Sequence, residues 1–326
     1  MKNQIILSIV VISLLTYCNT KPQKKEILPE TSIDSWEAQP FLNMTNQLGE
    51  GAIWNHITQE FWHIDIEGQS FFITDISTKK TVTYPLDEKI GTIVPSSTGP
   101  ILALASGIYA YDLASGNQSK IVNPEDSIDN IRFNDGKCDA KGRLWVGSMG
   151  LDQKQYRASL YKINNDGSAQ QMLDSITISN GIVWTSDQKT MYYIDTPDEN
   201  VKAFDFNLET GSISNERVVI EIGGIGFPDG MAIDAEGMLW IALWNGNIVS
   251  RWNPNTGKMI GQVNVPAHNI TSCAFGGSNL DSLFITSARV DMTKDELETY
   301  PLSGSVFVVV PGMKGVKSNS FVTSKK

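Results

Sequence analysis

A short pattern recurs three times along the chain, and it constrains the fold more than any other feature. A polar residue followed by Gly opens a strand, a tight turn follows, and an apolar or aromatic strand returns. In one copy Asp229-Gly230 leads into Met231–Ile233, Asp234–Gly237 supplies the turn, and Leu239–Leu243 runs back. In the others, Asn134-Asp135-Gly136 precedes a turn at Asp139–Gly142 and the strand Leu144–Gly147, and Asn180-Gly181 precedes a turn at Asp187–Thr190 and the strand Met191–Asp195. Asp can bond its own backbone in such turns and Gly accepts positive φ. Recurrence of one unit at a fixed period marks a repeat architecture.

Further units fill the rest of the chain. One opens at Gly49-Glu50-Gly51 and continues through Glu60–Ile66, Ser70–Ile76 and Thr81–Leu86; the next runs from Gly91 to Val122; the last opens at Thr271 and ends at Val310. The six units, each of roughly 40–50 residues and about four strands, have the period of propeller blades. The expected fold is therefore all-β: a six-bladed β-propeller with four-stranded blades and a central metal site, spanning residues 38–320. Residues 289–302 read as an exposed loop within the sixth blade, and 321–326 as a tail. A propeller brings the openings of its innermost strands to one channel mouth. Glu50, Asn134, Asn180 and Asp229 are thus expected to meet there, each placed just before its strand.

The remaining features narrow the partners. The net charge of −10 gives no Lys/Arg surplus for a phosphate-binding face, so nucleic acid is excluded. Three cysteines, Cys18, Cys138 and Cys273, form neither a disulfide framework nor a zinc spacing. Residues 1–20 read as an export signal: Lys2, an apolar run over Ile5–Leu15, then Cys18. This resembles a bacterial lipoprotein leader, with Cys18 the lipidated residue, although Tyr17 stands where a small residue is usual. Residues 21–37 read as a flexible tether. The expectation is an exported monomer, periplasmic or at the cell surface, touching a membrane only through a lipid at Cys18.

Glu50, Asn180 and Asp229 form an all-oxygen donor set suited to hard cations. Two carboxylates crowded in one pocket would repel without a cation to neutralise them. Arg132, Asn134 and Asp135 would lie beside them, able to bind hydroxyls or polarise a carbonyl. Taken singly, Asn-Gly or Asp-Gly is more often an ordinary hairpin turn. Here separate turn signals already supply the hairpins, which shifts the weight toward a site. Asp65, Asp139, Asp195 and Asp234 are assigned to turns and strand ends. His63 reads as packing within an aromatic strand, and Cys138 and Cys273 as small buried apolar groups. Gly223-Gly224-Ile225-Gly226 lacks the helix a phosphate loop needs.

These motifs together resemble the SMP-30/gluconolactonase/LRE-like family. The resemblance runs from about Leu48 to Gly315 and rests on Leu48–Trp54, Arg132–Lys137, Ser179–Gly181, Pro228–Met231, Thr271–Gly277 and Ser303–Phe307. It implies a propeller with one divalent cation (Ca²⁺, Mg²⁺, Mn²⁺ or Zn²⁺) in the channel, held by Glu50, Asn180 and Asp229. It also implies substrate contacts at Arg132 and Asn134, with a further acidic contact near Asp152. The implied activity is hydrolysis of a sugar lactone to its aldonic acid, with Asp229 assisting proton transfer from water. A cation-binding or ligand-binding propeller without catalysis, or a lactonase or esterase acting on non-sugar substrates, are the alternatives.

Overall fold

The computed structural model describes residues 33–322. The export signal with Cys18, the tether up to residue 32 and residues 323–326 lie outside the described residues. Six separate sheets carry the described strands. Five of them are built from consecutive antiparallel strands, as the repeat predicts: 49–85, 90–122, 131–176, 179–221 and 227–264. These are blades one to five. The sixth contains Asn269–Gly276, Ser282–Ala288 and Val306–Val309.

Burial is high in the inner strands of the blades and low in the outermost ones. All residues of the inner strands Gly49–Asn55, Ile90–Ser96, Ser179–Trp184 and Asn269–Gly276 are buried. By contrast, the outer strands Lys80–Pro85 and Gln118–Val122 are largely exposed. A strand covered on both faces needs a continuous apolar or small-residue run, whereas an edge strand tolerates charge. The apolar faces pack between neighbouring blades. Trp145 meets Trp184 and Phe206 edge-on across the third and fourth blades, with centroids 5.9 Å apart.

Closure of the ring differs from the repeat-based expectation. The outer strand of the sixth blade is Gln39–Leu42, antiparallel to Val306–Val309. Chain-distant segments thus complete one sheet and remove two edges. Asp34–Glu37, expected in the tether, instead pairs parallel with 261–264 as a fifth strand on blade five. Trp36 packs there on Trp240, centroids 5.5 Å apart, and that burial outweighs the polar composition around it. At the other terminus Phe321, expected to open the tail, is 2% exposed, and its N–H donates to the Pro95 carbonyl at 2.7 Å. The 289–302 loop holds one helical turn, Lys294–Thr299, started by a Thr293/Glu296 capping box. Among the described residues no helix is long and apolar enough to cross a membrane.

Candidate functional site

The inner strands all break register at one position. The irregularity falls between Glu50 and Ile53, Ile90 and Thr92, Phe133 and Gly136, Ser179 and Ile182, Pro228 and Met231, and Ile270 and Cys273. A bulge leaves residues unpaired and re-aims their side chains. Asn134, Asn180 and Asp229 sit in these bulges and Glu50 at the edge of one. They lie inside the inner strands, not ahead of them as the sequence suggests. The glycine that follows two of them serves close approach. A Cβ on Gly181 would stand 2.6 Å from the Met231 Cβ and 2.8 Å from the Asp229 carbonyl oxygen. One on Gly230 would stand 2.8 Å from the Ser272 Cα. The Asn-Gly and Asp-Gly pairs are therefore packing devices around the channel rather than hairpin turns.

Glu50, Arg132, Asn134, Asn180 and Asp229 line one cavity of about 410 Å³. Four blades contribute these side chains, and all of them are buried. A hydrogen-bond chain links them. Arg132 donates to the Asn134 Oδ1 at 2.6 Å and to the Phe133 carbonyl at 2.9 Å. Asn134 Nδ2 donates to the Ser179 carbonyl at 2.7 Å and to Asn180 Oδ1 at 3.0 Å. Asn180 Nδ2 donates to Thr196 Oγ1 at 2.7 Å, and that hydroxyl donates to the Pro228 carbonyl at 2.8 Å. The chain fixes the orientation of the Asn180 carboxamide and ties blade three to blade five. Thr196 and this role were not foreseen; its only sequence signal is its place after the strand end at Asp195.

The electrostatics are unusual. Burial first, then the charge of Asp135, raises the Glu50 carboxyl to about 8. Burial, then Glu50 and Asp135, push Asp229 well above the usual carboxylate range. Burial and their mutual charge thus favour the protonated form of both carboxyls in the absence of a cation. Asp229 Oδ1 is buried with no partner. Burial lowers Arg132 to about 10, a shift opposed by Glu67, Glu50 and Asp229, so it stays charged at neutral pH. Asp135 is also buried, with its Oδ2 unpartnered, and its carboxyl is raised chiefly by burial.

Among the described residues no group of three or more His, Cys, Asp or Glu is arranged to hold a metal. The candidate donor set is instead two carboxylates and one carboxamide. An orphaned carboxylate oxygen, a facing carboxyl and an Asn Oδ1 with a spare lone pair fit a hard divalent cation, which would relieve the buried like charges. His63 is fully buried between Phe61 and Phe72, both nitrogens unpartnered, and burial lowers it to about 3. Cys138 and Cys273 are free and buried. Asp152 is absent from the cavity wall. Its carboxylate pairs with Lys154 at 3.0 Å and Arg157 at 3.2 Å. The turn at this point directs the neighbouring Leu151 and Gln153 to the cavity instead. Glu67 from blade one and Asp291 from blade six are the acidic residues on the wall beyond the buried pair.

Residues 48–289 match the family model for the SMP-30/Gluconolactonase/LRE-like region. The chain is 36% identical over 262 residues to a putative sugar lactone lactonase, YvrE, of Bacillus subtilis, covering 80% of this chain and 90% of the relative. It is 36% identical over 280 residues to regucalcin of Danio rerio, covering 85% and 95% of the two. The crystal structure of regucalcin from Agrobacterium tumefaciens, described as a calcium-binding protein, superposes with a TM-score of 0.83 at 25% identity, covering 88% of this chain and 99% of that one. With its six blades, the residues that converge in its channel and these matches along most of its length, the chain belongs to the SMP-30/gluconolactonase/LRE-like family.

Proposed function

We propose that this chain is a divalent-cation-dependent hydrolase that opens a lactone, in the first instance a sugar lactone such as gluconolactone, to its hydroxy acid. The observation that carries the reading is the buried Glu50–Asp229 pair at the base of the cavity, with Asp229 Oδ1 left without a partner. Buried carboxyl groups raised by burial and like charge, in a cleft beside a fixed cation, mark functional sites more often than structural ones. Glu50, Asn180 and Asp229 would hold the cation. When bound, it supplies Lewis acidity and neutralises the two carboxylates.

The protein's own groups do the rest. Arg132 is held in place by Asn134 and Phe133 and keeps further N–H donors for the lactone carbonyl as negative charge develops there. Asn134 keeps the Asn180 carboxamide oriented. The Asp229 carboxylate accepts the proton of the attacking water and returns it to the ring oxygen as the ester bond breaks. Lactone and water are thereby converted to the hydroxy acid with no other reactant.

A second reading, cation binding without turnover, is favoured by the donor set itself and by the calcium-binding description of the Agrobacterium tumefaciens relative. One experiment separates them. The protein is stripped with a chelator and acid release from a panel of aldonolactones is followed with each of Ca²⁺, Mg²⁺, Mn²⁺ and Zn²⁺ added back. Cation-restored hydrolysis supports the enzyme. Tight cation binding with no turnover on any lactone or aryl ester leaves the binding protein.

A further inference from the structure

The cavity changes character from base to mouth. Its base is polar and buried; its open mouth carries an apolar cluster together with the charged residues Glu67, Lys89 and Asp291. Phe227 is 41% exposed and Leu151 49% exposed, and both lie on the cavity wall with half-buried Trp244. Isolated exposed apolar residues are ordinary, but a cluster rimming a pocket points to a ligand. Phe227 and Trp244 are register partners across the first two strands of blade five, so their side chains share one face. That face leads directly to Asp229 on the same strand. Ile225, 40% exposed, precedes it in a loop where Gly223 and Gly224 have open space at their Cβ positions. Of the charged residues on the outer wall, Lys89 is paired with Glu67 at 2.7 Å, while Asp291 is exposed.

We infer that the substrate is a lactone carrying an apolar substituent, alkyl or aryl, which lies against Phe227 and Trp244 while the ester group reaches the buried base. This inference rests on the lactone-hydrolase reading and specifies its substrate class. Trp244 and Phe227 are then specificity-determining residues. Each methylene buried there raises kcat/KM by up to about fourfold, until the mouth is filled.

The test measures kcat/KM of the cation-loaded protein on five-membered lactones with ring alkyl chains of increasing length, on dihydrocoumarin and on gluconolactone. A rise with chain length that flattens in Trp244→Ala and survives in Trp244→Phe is the expected result. Phe227→Ala, at an exposed position that folding depends on less, carries the same test should Trp244→Ala fail to fold. A flat series in the parent protein alongside measurable turnover overturns the inference and leaves the lactonase standing. An unaltered slope in a folded Trp244→Ala or Phe227→Ala variant overturns the assignment to these residues. No hydrolysis of any lactone, with any cation, overturns both this inference and the reading beneath it.

Discussion

Asp229 and Asp234 belong to one hairpin of blade five and are both buried, at 6% and 1% exposure, yet they are provided for in opposite ways. Asp234 Oδ1 accepts the N–H groups of Glu236 and Met238 at 3.0 and 2.9 Å. Its Oδ2 accepts Trp240 Nε1 at 2.9 Å and two nitrogens of Arg251 at 3.0 and 2.8 Å. Asp229 Oδ1 has no partner, and the charges that act most strongly on its carboxyl are those of Glu50 and Asp135. Blade three repeats the satisfied version: Asp139 accepts Arg143 Nε at 2.7 Å and Trp145 Nε1 at 3.0 Å. A buried acid surrounded by donors holds a turn in shape. One left short of donors costs stability and is explained by a ligand that supplies the missing charge.

The comparison can be broken by substitution. Asp229→Ala should lower lactone hydrolysis about a thousandfold and weaken cation binding, while the cation-free protein unfolds at the same temperature or higher. Retained parental activity would remove Asp229 from the site. Asp234→Ala should do the reverse. It leaves the buried Arg251 guanidinium with Glu236, 2.5 Å away, as its remaining ion-pair partner and the Trp240 N–H without its acceptor, at a cost of about 2–4 kcal/mol, read as a fall in melting temperature and denaturant midpoint. An unchanged midpoint would show the turn to be held by something else.

Smaller effects sharpen it. Thr196→Val removes the acceptor that orients Asn180, so cation affinity measured by calorimetry should drop by about 10–100-fold with little change in melting temperature of the cation-free protein. The pH dependence also separates the two acids. Cation-free native protein keeps the Glu50 proton up to about 8, whereas the unfolded chain releases it near the ordinary value of 4.5. The unfolded state therefore binds fewer protons in that window. Glu50 contributes stability that is present below 4.5 and lost as pH rises toward 8, by up to about 1.4 kcal/mol per pH unit. Saturating divalent cation or Asp229→Asn should flatten that slope; a slope untouched by both would place its origin elsewhere.

His63 acts in the other direction. Its folded value of about 3 lies below the unfolded 6.5, so the unfolded chain takes up the proton first and stability falls as pH drops between them. His63→Phe, which suits the slot between Phe61 and Phe72, should remove that acid-side loss in urea titrations between pH 6.5 and 4. Equal acid sensitivity in parent and variant would assign it to other groups.

The repeat, the turn acids and the convergent polar residues were legible because each is local. Asp139 and Asp234 stand at fixed offsets from Gly and Trp, and Asn180 and Asp229 recur ahead of Gly. The ring closure was not legible. Nothing within Gln39–Leu42 names Val306–Val309 as its partner, and Phe321 reads as tail until its pocket is assembled from blades one to three. Asp152 fits a loose motif, but its direction is decided by Lys154 and Arg157 on the same turn.

By itself, then, the order of residues determined the blade period, the all-β class and which side chains could meet, since strand and turn formation depend on neighbours a few positions apart. Only the tertiary structure decided which termini seal the ring, that the site residues sit in bulges within the inner strands, and that Glu50 and Asp229 are buried together with Asp229 Oδ1 left unpartnered. Those outcomes depend on contacts between distant segments and on burial, and burial is a property of the assembled channel rather than of any stretch of chain.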